Sequence, residues 1–292
     1  MLLATLIAAG ALSPGDIATA SDALRGAGGE PGVAAWLDAG DACDLPVAGL
    51  SQSAVRAALE AAFTTVDVVV QPAAASRRKR LLIADMDSTM IQCECIDELA
   101  DYAGLKPQVA AITEAAMRGE LDFAAALDAR VALLAGMDAR VIDRCRAERV
   151  RLMPGAKLLV ATMASSGART ILVSGGFTAF AGPVGAELGF DRIVANRLLV
   201  ENGRLTGTVA RPIVDAATKR GELDGAGVPV GDAIAVGDGA NDIPMLERAG
   251  LGVAYHAKPR AATAADAAIR TGDLMALLWA QGYPRAEWVT SA

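Results

Sequence analysis

Three short stretches constrain the fold of this chain more than anything else in it. Leu81-Leu82-Ile83-Ala84, Ile171-Leu172-Val173 and Ile234-Ala235-Val236 are unbroken apolar runs. Each stops abruptly at polar residues: Asp85-Met86-Asp87-Ser88-Thr89, Ser174-Gly175-Gly176 and Gly237-Asp238-Gly239-Ala240-Asn241-Asp242. A strand that is apolar on both faces must be covered on both faces, the situation of parallel strands between two layers of helix. Helical patterns do separate these runs, at 156–165, 177–188, 215–223, 242–249 and 273–281. The alternation predicts an α/β fold with a doubly wound parallel sheet. Ligands of such sheets bind beyond the carboxyl ends of the strands, where the polar residues fall.

Other regions depart from this pattern. Residues 97–150 hold only helical periodicity, at 107–117, 123–134 and 141–150, and are expected to form a helical cap (95–152) inserted after the first of the three strands. Residues 192–199 and 204–209, joined by Glu201-Asn202-Gly203, read as a hairpin. Residues 1–75 read as a small α+β unit of order β-α-β-α-β, with strands at 2–8, 33–37 and 65–71. A linker at 76–80 follows, whose Arg77-Arg78-Lys79-Arg80 run is expected to be solvated.

Composition removes several functions. A net charge of −7 and the lack of any longer basic run argue against nucleic acid and anionic membranes as partners. No apolar run has the length of a membrane span, so a cytoplasmic protein is expected. Four cysteines in 292 residues imply no disulfide framework, and Cys93-x-Cys95 lacks the companions of a zinc site. Cys145 and Arg151 have the C-x5-R spacing of cysteine phosphatases, but without loop glycines and in a charged helical stretch. His256 is the single histidine, which rules out poly-histidine metal centres and counts against histidine nucleophiles and Ser-His-Asp triads. Catalysis must then rest on carboxylates, lysine, serine or cysteine.

The strand ends offer such a set. Phosphoryl transfer requires that the negative phosphoryl oxygens be neutralised before a carboxylate can approach. Magnesium held by oxygen ligands does this, and Asp85, Asp238 and Asp242 are suitable hard ligands. Lys219 adds a cation, while the Ser174 hydroxyl and the amides near Gly175 can hold phosphoryl oxygens. The two-residue step from Asp85 to Asp87 allows one carboxylate to attack phosphorus and the other to move protons. Each feature alone is commonplace, since Asp favours turns and a lysine on a helix is usually solvated. Their order, each at an element boundary, is not.

D-M-D-S-T, V-S-G-G, the helical Lys219 and G-D-G-A-N-D resemble the motifs of the haloacid dehalogenase-like superfamily. Together with Asn196-Arg197-Leu198 and Leu205-Thr206-Gly207, they resemble its phosphoserine phosphatase family from about Leu81 to the C-terminus. The resemblance implies a Rossmann-like core and hydrolysis of O-phosphoserine through an aspartyl phosphate on Asp85, the last step of serine biosynthesis. It makes Asp87 the general acid/base. It gives Mg2+ to the Asp85 carboxylate, the Asp87 backbone carbonyl and Asp238, with Asp242 in support. Ser174, Gly175, Lys219 and Asn241 would meet the phosphate, Glu94 and Arg130 the ammonium and carboxylate of the substrate, and Phe123 and Met117 would be cap contacts. The first 75 residues are reminiscent of ACT-type amino-acid-binding domains, with a homodimer through that unit as one expectation and serine sensing as another.

Three alternatives stand beside this reading. One is a phosphatase or phosphotransferase for another small monoester. Another is a receiver-like phospho-switch, against which Asp87 and the cap count. The third is a catalytically retired amino-acid sensor, against which the full residue set counts.

Overall fold

A computed structural model describes residues 1–117 and 120–290, with Met117 described in its backbone only. Six parallel strands form the core sheet, in the order Ala267–Ile269, Leu251–Tyr255, Ala233–Gly237, Leu81–Ala84, Arg169–Phe177 and Arg192–Asn196. The apolar alternation within each strand serves two separate cores. Leu82, Ala84, Leu172, Ile234 and Val236 pack on one face, and Leu81, Ile83, Ile171, Val173, Ala233 and Ala235 on the other. That is why these runs carry no polar residue until the strand ends. From Leu81–Ala84 the sheet grows in both directions, toward Arg169–Phe177 and toward Ala233–Gly237, so the chain reverses its winding there. A crevice opens at such a point, and Asp85 stands at its mouth.

Two adjacent crossings join the cap to the core. Ile91 pairs with Leu152, the Gln92 amide donates to the Arg151 carbonyl at 3.0 Å, and the Met153 amide to the Met90 carbonyl at 2.9 Å. Four helices lie between these crossings, Cys95–Tyr102, Lys106–Met117, Phe123–Ala132 and Arg140–Arg149. The hairpin differs from its expected extent. Arg192–Asn196 joins the main sheet in parallel, and only Leu198–Glu201 pairs with Arg204–Val209. Apolar residues on both sides of the break, Ile193-Val194-Ala195 and Leu198-Leu199-Val200, make the stretch read as one strand and hide the break at Arg197. The hairpin's far end is bonded to the cap, with the Gly136 amide donating to the Leu205 carbonyl at 2.8 Å and the Ala139 amide to the Gly203 carbonyl at 2.9 Å.

The N-terminal unit holds five strands, two more than its sequence pattern suggests. Ala42–Ala48 is a strand, paired antiparallel with Leu2–Ile7 along its whole length and with Glu30–Pro31 and Ala35–Asp38 on its other side. The order is therefore β-α-β-β-β-α-β, in one antiparallel sheet closed by Asp67–Pro72; with Glu30–Pro31 and Ala35–Asp38 taken as one interrupted strand, it is the ferredoxin-like arrangement. This sheet continues the core sheet through Val68, which pairs with Ala268, to give eleven strands in all.

The basic run after it is no solvated tether. Lys79 is only 3% exposed, and Arg77 donates to both carboxylate oxygens of Asp44 at 2.5 and 2.6 Å. No helix among the described residues is long and apolar enough to cross a membrane.

Candidate active site

Asp85 begins the loop after Leu81–Ala84, and its amide still donates to the Val236 carbonyl of the neighbouring strand at 3.0 Å. This fixes the nucleophile candidate at the carboxyl end of an interior strand, buried. Lys219, fully buried in the Ala216–Asp224 helix, donates from Nζ to Asp85 Oδ1 and to Asp242 Oδ1, each at 2.6 Å. Asp242 is held from behind, its Oδ2 accepting the Gly239 amide at 3.0 Å. A Cβ on Gly237 would lie 2.4 Å from the Asp242 carboxyl carbon, so only glycine lets that carboxylate fold back over the strand end. Asp85, Asp238 and Asp242 bring carboxylate oxygens within 4.8 Å of one another, the one such grouping of metal-capable side chains among the described residues.

Asp87 Oδ1 accepts the Cys95 amide at 3.4 Å. The turn after Val173 comes against it: a Cβ on Gly176 would lie 2.8 Å from Asp87 Oδ2 and 3.0 Å from Ser174 Oγ. Ser174 is buried, and its Oγ accepts the Gly176 amide at 2.9 Å. Gly175 faces the cap. A Cβ there would lie 3.0 Å from Phe123 Cζ and 3.9 Å from Asn241 Nδ2. The side chains of Phe123 and Asn241 thus meet the same glycine from the cap and from the core.

Glu94 caps the entry to the cap. Ser88, left-handed at φ 55°, donates its hydroxyl to Glu94 Oε1 at 2.7 Å. A left-handed serine costs about 1 kcal/mol or more, which the hydrogen bond to Glu94 offsets. Arg130 is half-buried on the Phe123–Ala132 helix. Its Nε donates to the Ala126 carbonyl of its own helix at 3.2 Å, and no described carboxylate lies at ion-pair distance from it. Burial lowers its pKa, and Asp97, Glu94 and Asp87 counteract that, so these acids surround it without engaging it.

Electrostatics single out the same residues. Burial pushes Asp87 up to about 7, with Glu94 adding to the shift. Burial likewise pushes Asp238 up to about 7, reinforced by Asp242 and Glu94. Asp85 is raised by burial and by Asp242 despite Lys219. Burial disfavours the Lys219 charge, but Asp242 and Asp85 outweigh it and raise the lysine's pKa. Such an excess of buried carboxylate over cation suits a divalent metal.

The structure therefore gathers Asp85, Asp87, Ser174, Gly175, Lys219, Asp238, Asn241 and Asp242 at the strand ends, with Glu94, Phe123 and Arg130 reaching from the cap. Met117 ends its helix, and its side chain lies outside the described residues. Asn196 had no assigned role from sequence, yet it bonds to the Gly175 carbonyl. Its only signal was its place in the Asn196-Arg197-Leu198 stretch. Cys145 is buried, and burial and Glu98 raise its thiol to about 11, which fits no thiolate nucleophile. His256 is exposed, with its ring on the Gly272 carbonyl at 2.9 Å.

A crevice at the switch point of a doubly wound sheet, closed over by helices and lined with aspartates, defines a doubly wound α/β protein with a capped carboxylate site. A family model of haloacid dehalogenase-like hydrolases matches residues 82–247, more than half of the chain. A phosphoserine phosphatase of Streptomyces coelicolor is 47% identical over 84% of this chain, and the chain spans 62% of that protein's length. Another, of Polaromonas sp., is 49% identical over 68% of this chain and 88% of its own. A solved structure of a probable phosphoserine phosphatase from Vibrio cholerae matches with a TM-score of 0.79 at 33% identity, over 98% of this chain and 88% of that one. The chain belongs to the haloacid dehalogenase-like hydrolases, and among them to the phosphoserine phosphatase family.

Proposed function

We propose that this chain hydrolyses O-phosphoserine to serine and phosphate, in the cytoplasm and as the last step of serine biosynthesis. The observation that carries the substrate choice is the pair Glu94 and Arg130 at the cap face of the site. Arg130 is half-buried, without a carboxylate partner among the described residues, and Glu94 is turned toward the same crevice. An acid and an unengaged guanidinium suit the ammonium and carboxylate of a phosphoamino acid, and a simple phosphate ester would leave both unused. The relatives' names support the same substrate.

In this reading an Asp85 carboxylate oxygen bonds to phosphorus as the bond from phosphorus to the serine oxygen breaks. The departing oxygen takes the Asp87 proton. Asp87, with a pKa of about 7, is suited to holding that proton near neutrality and releasing it. Asp87 then removes a proton from water, whose oxygen bonds to phosphorus as the bond to Asp85 breaks. Lys219, Ser174, Asn241 and the Gly175 amide hold the phosphoryl oxygens throughout. Asp85, the Asp87 carbonyl and Asp238, supported by Asp242, would hold magnesium, which would supply neutralising charge at those oxygens. Phe123 closes on Gly175 and keeps bulk water from the acyl phosphate.

Phosphate release from a panel of monoesters, with magnesium and with chelator, tests this. Magnesium-dependent preference for phosphoserine is expected. Equal rates on simple esters would discard the Glu94–Arg130 assignment, and no release from any ester would discard the hydrolysis itself. A homodimer through the N-terminal unit is a separate part of the proposal. Val33, 89% exposed, and Trp36, 40% exposed, beside the outer edge of the sheet support it, and sedimentation of Trp36→Glu against the unaltered chain tests it.

A further inference from the structure

Asn196 ends the Arg192–Asn196 strand and is 2% exposed. Its Nδ2 donates to the Gly175 carbonyl at 2.9 Å and to the Val214 carbonyl at 3.3 Å, and its Oδ1 accepts the Val214 amide at 2.7 Å. These partners fix the orientation of the amide, because the reverse would set oxygen against two carbonyls and nitrogen against an N–H. Gly175 belongs to the turn read above as the phosphoryl cradle. Val214 directly precedes Asp215, whose carboxylate caps the helix that carries Lys219, accepting the Thr218 amide at 2.8 Å. Between Asn196 and Val214 the chain leaves the core, forms the hairpin bonded to the cap, and returns. One buried amide thus ties the phosphoryl cradle to the start of the lysine helix, at the base of the element that touches the cap.

We propose that Asn196 is a positioning residue for phosphoryl transfer: it sets the Ser174–Gly175 turn and Lys219 in register by bonding to the Gly175 carbonyl and to both backbone groups of Val214. The proposal rests on the phosphoryl-transfer reading of the site. It places the effect of Asn196 at the phosphoryl end of the substrate and not at the amino-acid end. No other side chain of this size carries a donor and an acceptor on two separate atoms at neutral pH. Aspartate keeps the acceptor for the Val214 amide but turns an oxygen toward two carbonyls. Serine retains one hydroxyl that cannot span the partners.

The test compares the full chain with Asn196→Asp and Asn196→Ser, in magnesium. Melting temperature, kcat and KM on phosphoserine and on p-nitrophenyl phosphate, and inhibition by inorganic phosphate are read for each. Both variants are expected to fold and to lose kcat/KM by on the order of 10²-fold, as for misplacement of a reacting group by about 1 Å. The loss should be the same factor on both esters, with inhibition by inorganic phosphate weakened in parallel. A purely structural asparagine would lower the melting temperature and leave these ratios alone. Wild-type kcat/KM in either folded variant overturns the proposal. So does a loss confined to phosphoserine, which would move the role to the cap, and so does failure of both variants to fold. If the unaltered chain prefers another ester, the phosphoserine reading fails while the same comparison on that ester still decides the role of Asn196.

Discussion

Lys219 is a cation taken fully out of water and placed 2.6 Å from two carboxylates. Removing one member of such a buried set leaves charge without compensation, typically at a cost of about 3–5 kcal/mol. In Lys219→Met the Asp85 carboxyl, already raised by burial and Asp242, would lose the cation that opposes the shift. A carboxyl whose folded pKa lies above its unfolded value of 3.8 adds no penalty below that value and a growing one as pH rises toward the folded pKa. The variant should therefore melt close to the unaltered chain near pH 4 and well below it at pH 8, with turnover abolished at either. Thermal melts across pH check this, and a deficit independent of pH would contradict it. Asp238 follows the same sign without any mutation. Its folded pKa of about 7 means that metal-free protein loses stability as pH climbs from about 4 to about 7. Magnesium should restore it, with a rise in melting temperature over chelated protein that is larger at pH 8 than at pH 5. Asp85 and Asp238 were legible from sequence because each sits where an apolar run ends, and Lys219, inside a helix, because it supplies the cation that those carboxylates need. Asn196 was not: it is the last residue of the Arg192–Asn196 strand, two residues before the next strand begins, and nothing local says that its amide faces Gly175.

At the scale of elements, the cap does its work through a few side chains on its inner face. Phe123, at the start of the Phe123–Ala132 helix, packs over Gly175, and Arg130 lies two turns further on. Arg130→Ala should raise KM for phosphoserine by roughly 10–10²-fold, the worth of one charge-assisted hydrogen-bond pair, and leave rates on p-nitrophenyl phosphate nearly unchanged. Steady-state kinetics on the two esters separate these, and an equal loss on both would place Arg130 outside substrate recognition. The three strands that carry the site and three of the four cap helices were readable because each keeps one pattern over several residues; the short parallel strand Ala267–Ile269 and the helix Cys95–Tyr102 were not. The strand Ala42–Ala48 was not. Asp44 and Pro46 interrupt its alternation, and both disfavour a strand in isolation. Tertiary partners override that local preference: Asp44 is met by Thr5 and Arg77, and Pro46 lends its carbonyl to the Gly32 amide. Likewise the break between Asn196 and Leu198, which separates sheet from hairpin, comes from what those residues pair with and not from their composition.

The whole molecule is held as one sheet by contacts from the strand Asp67–Pro72 and from the charge run after it, a run whose composition suggests only a solvated linker. Val68 meets Ala268 edge to edge. Asp67 accepts the amides of Arg270 and Gly272 at 2.7 Å each and the Thr271 hydroxyl at 3.1 Å, so one carboxylate of the N-terminal unit organises a loop of the core. Arg77 completes the seam. Its guanidinium chelates Asp44 of the N-terminal sheet, donates to the Thr5 hydroxyl at 2.9 Å, and reaches the Ala280 and Trp279 carbonyls of the C-terminal helix at 3.0 and 3.1 Å. A charge run is usually solvated because each charge costs free energy to bury. Arg77 escapes this because every direction of its planar fork finds an acceptor, an arrangement that lysine's single ammonium cannot reproduce. Arg77→Ala would leave a largely buried Asp44 carboxylate without its cation and with only the Thr5 hydroxyl as a side-chain donor, while the Ala280 and Trp279 carbonyls keep the Gln71 side chain and the Gly282 amide. The expected cost is about 2–4 kcal/mol, or a fall in melting temperature of roughly 5–10 °C for a chain of this size. Arg77→Lys should recover only part of it. Because none of these partners lines the crevice, kcat/KM below the transition should stay within about twofold, as for additive distant sites. Calorimetry on both variants, with kinetics alongside, decides between these outcomes. A melting temperature unchanged in Arg77→Ala would mean that the two parts of the sheet do not depend on this seam, and a large kinetic loss at full stability would mean that the N-terminal unit reaches the active site through it.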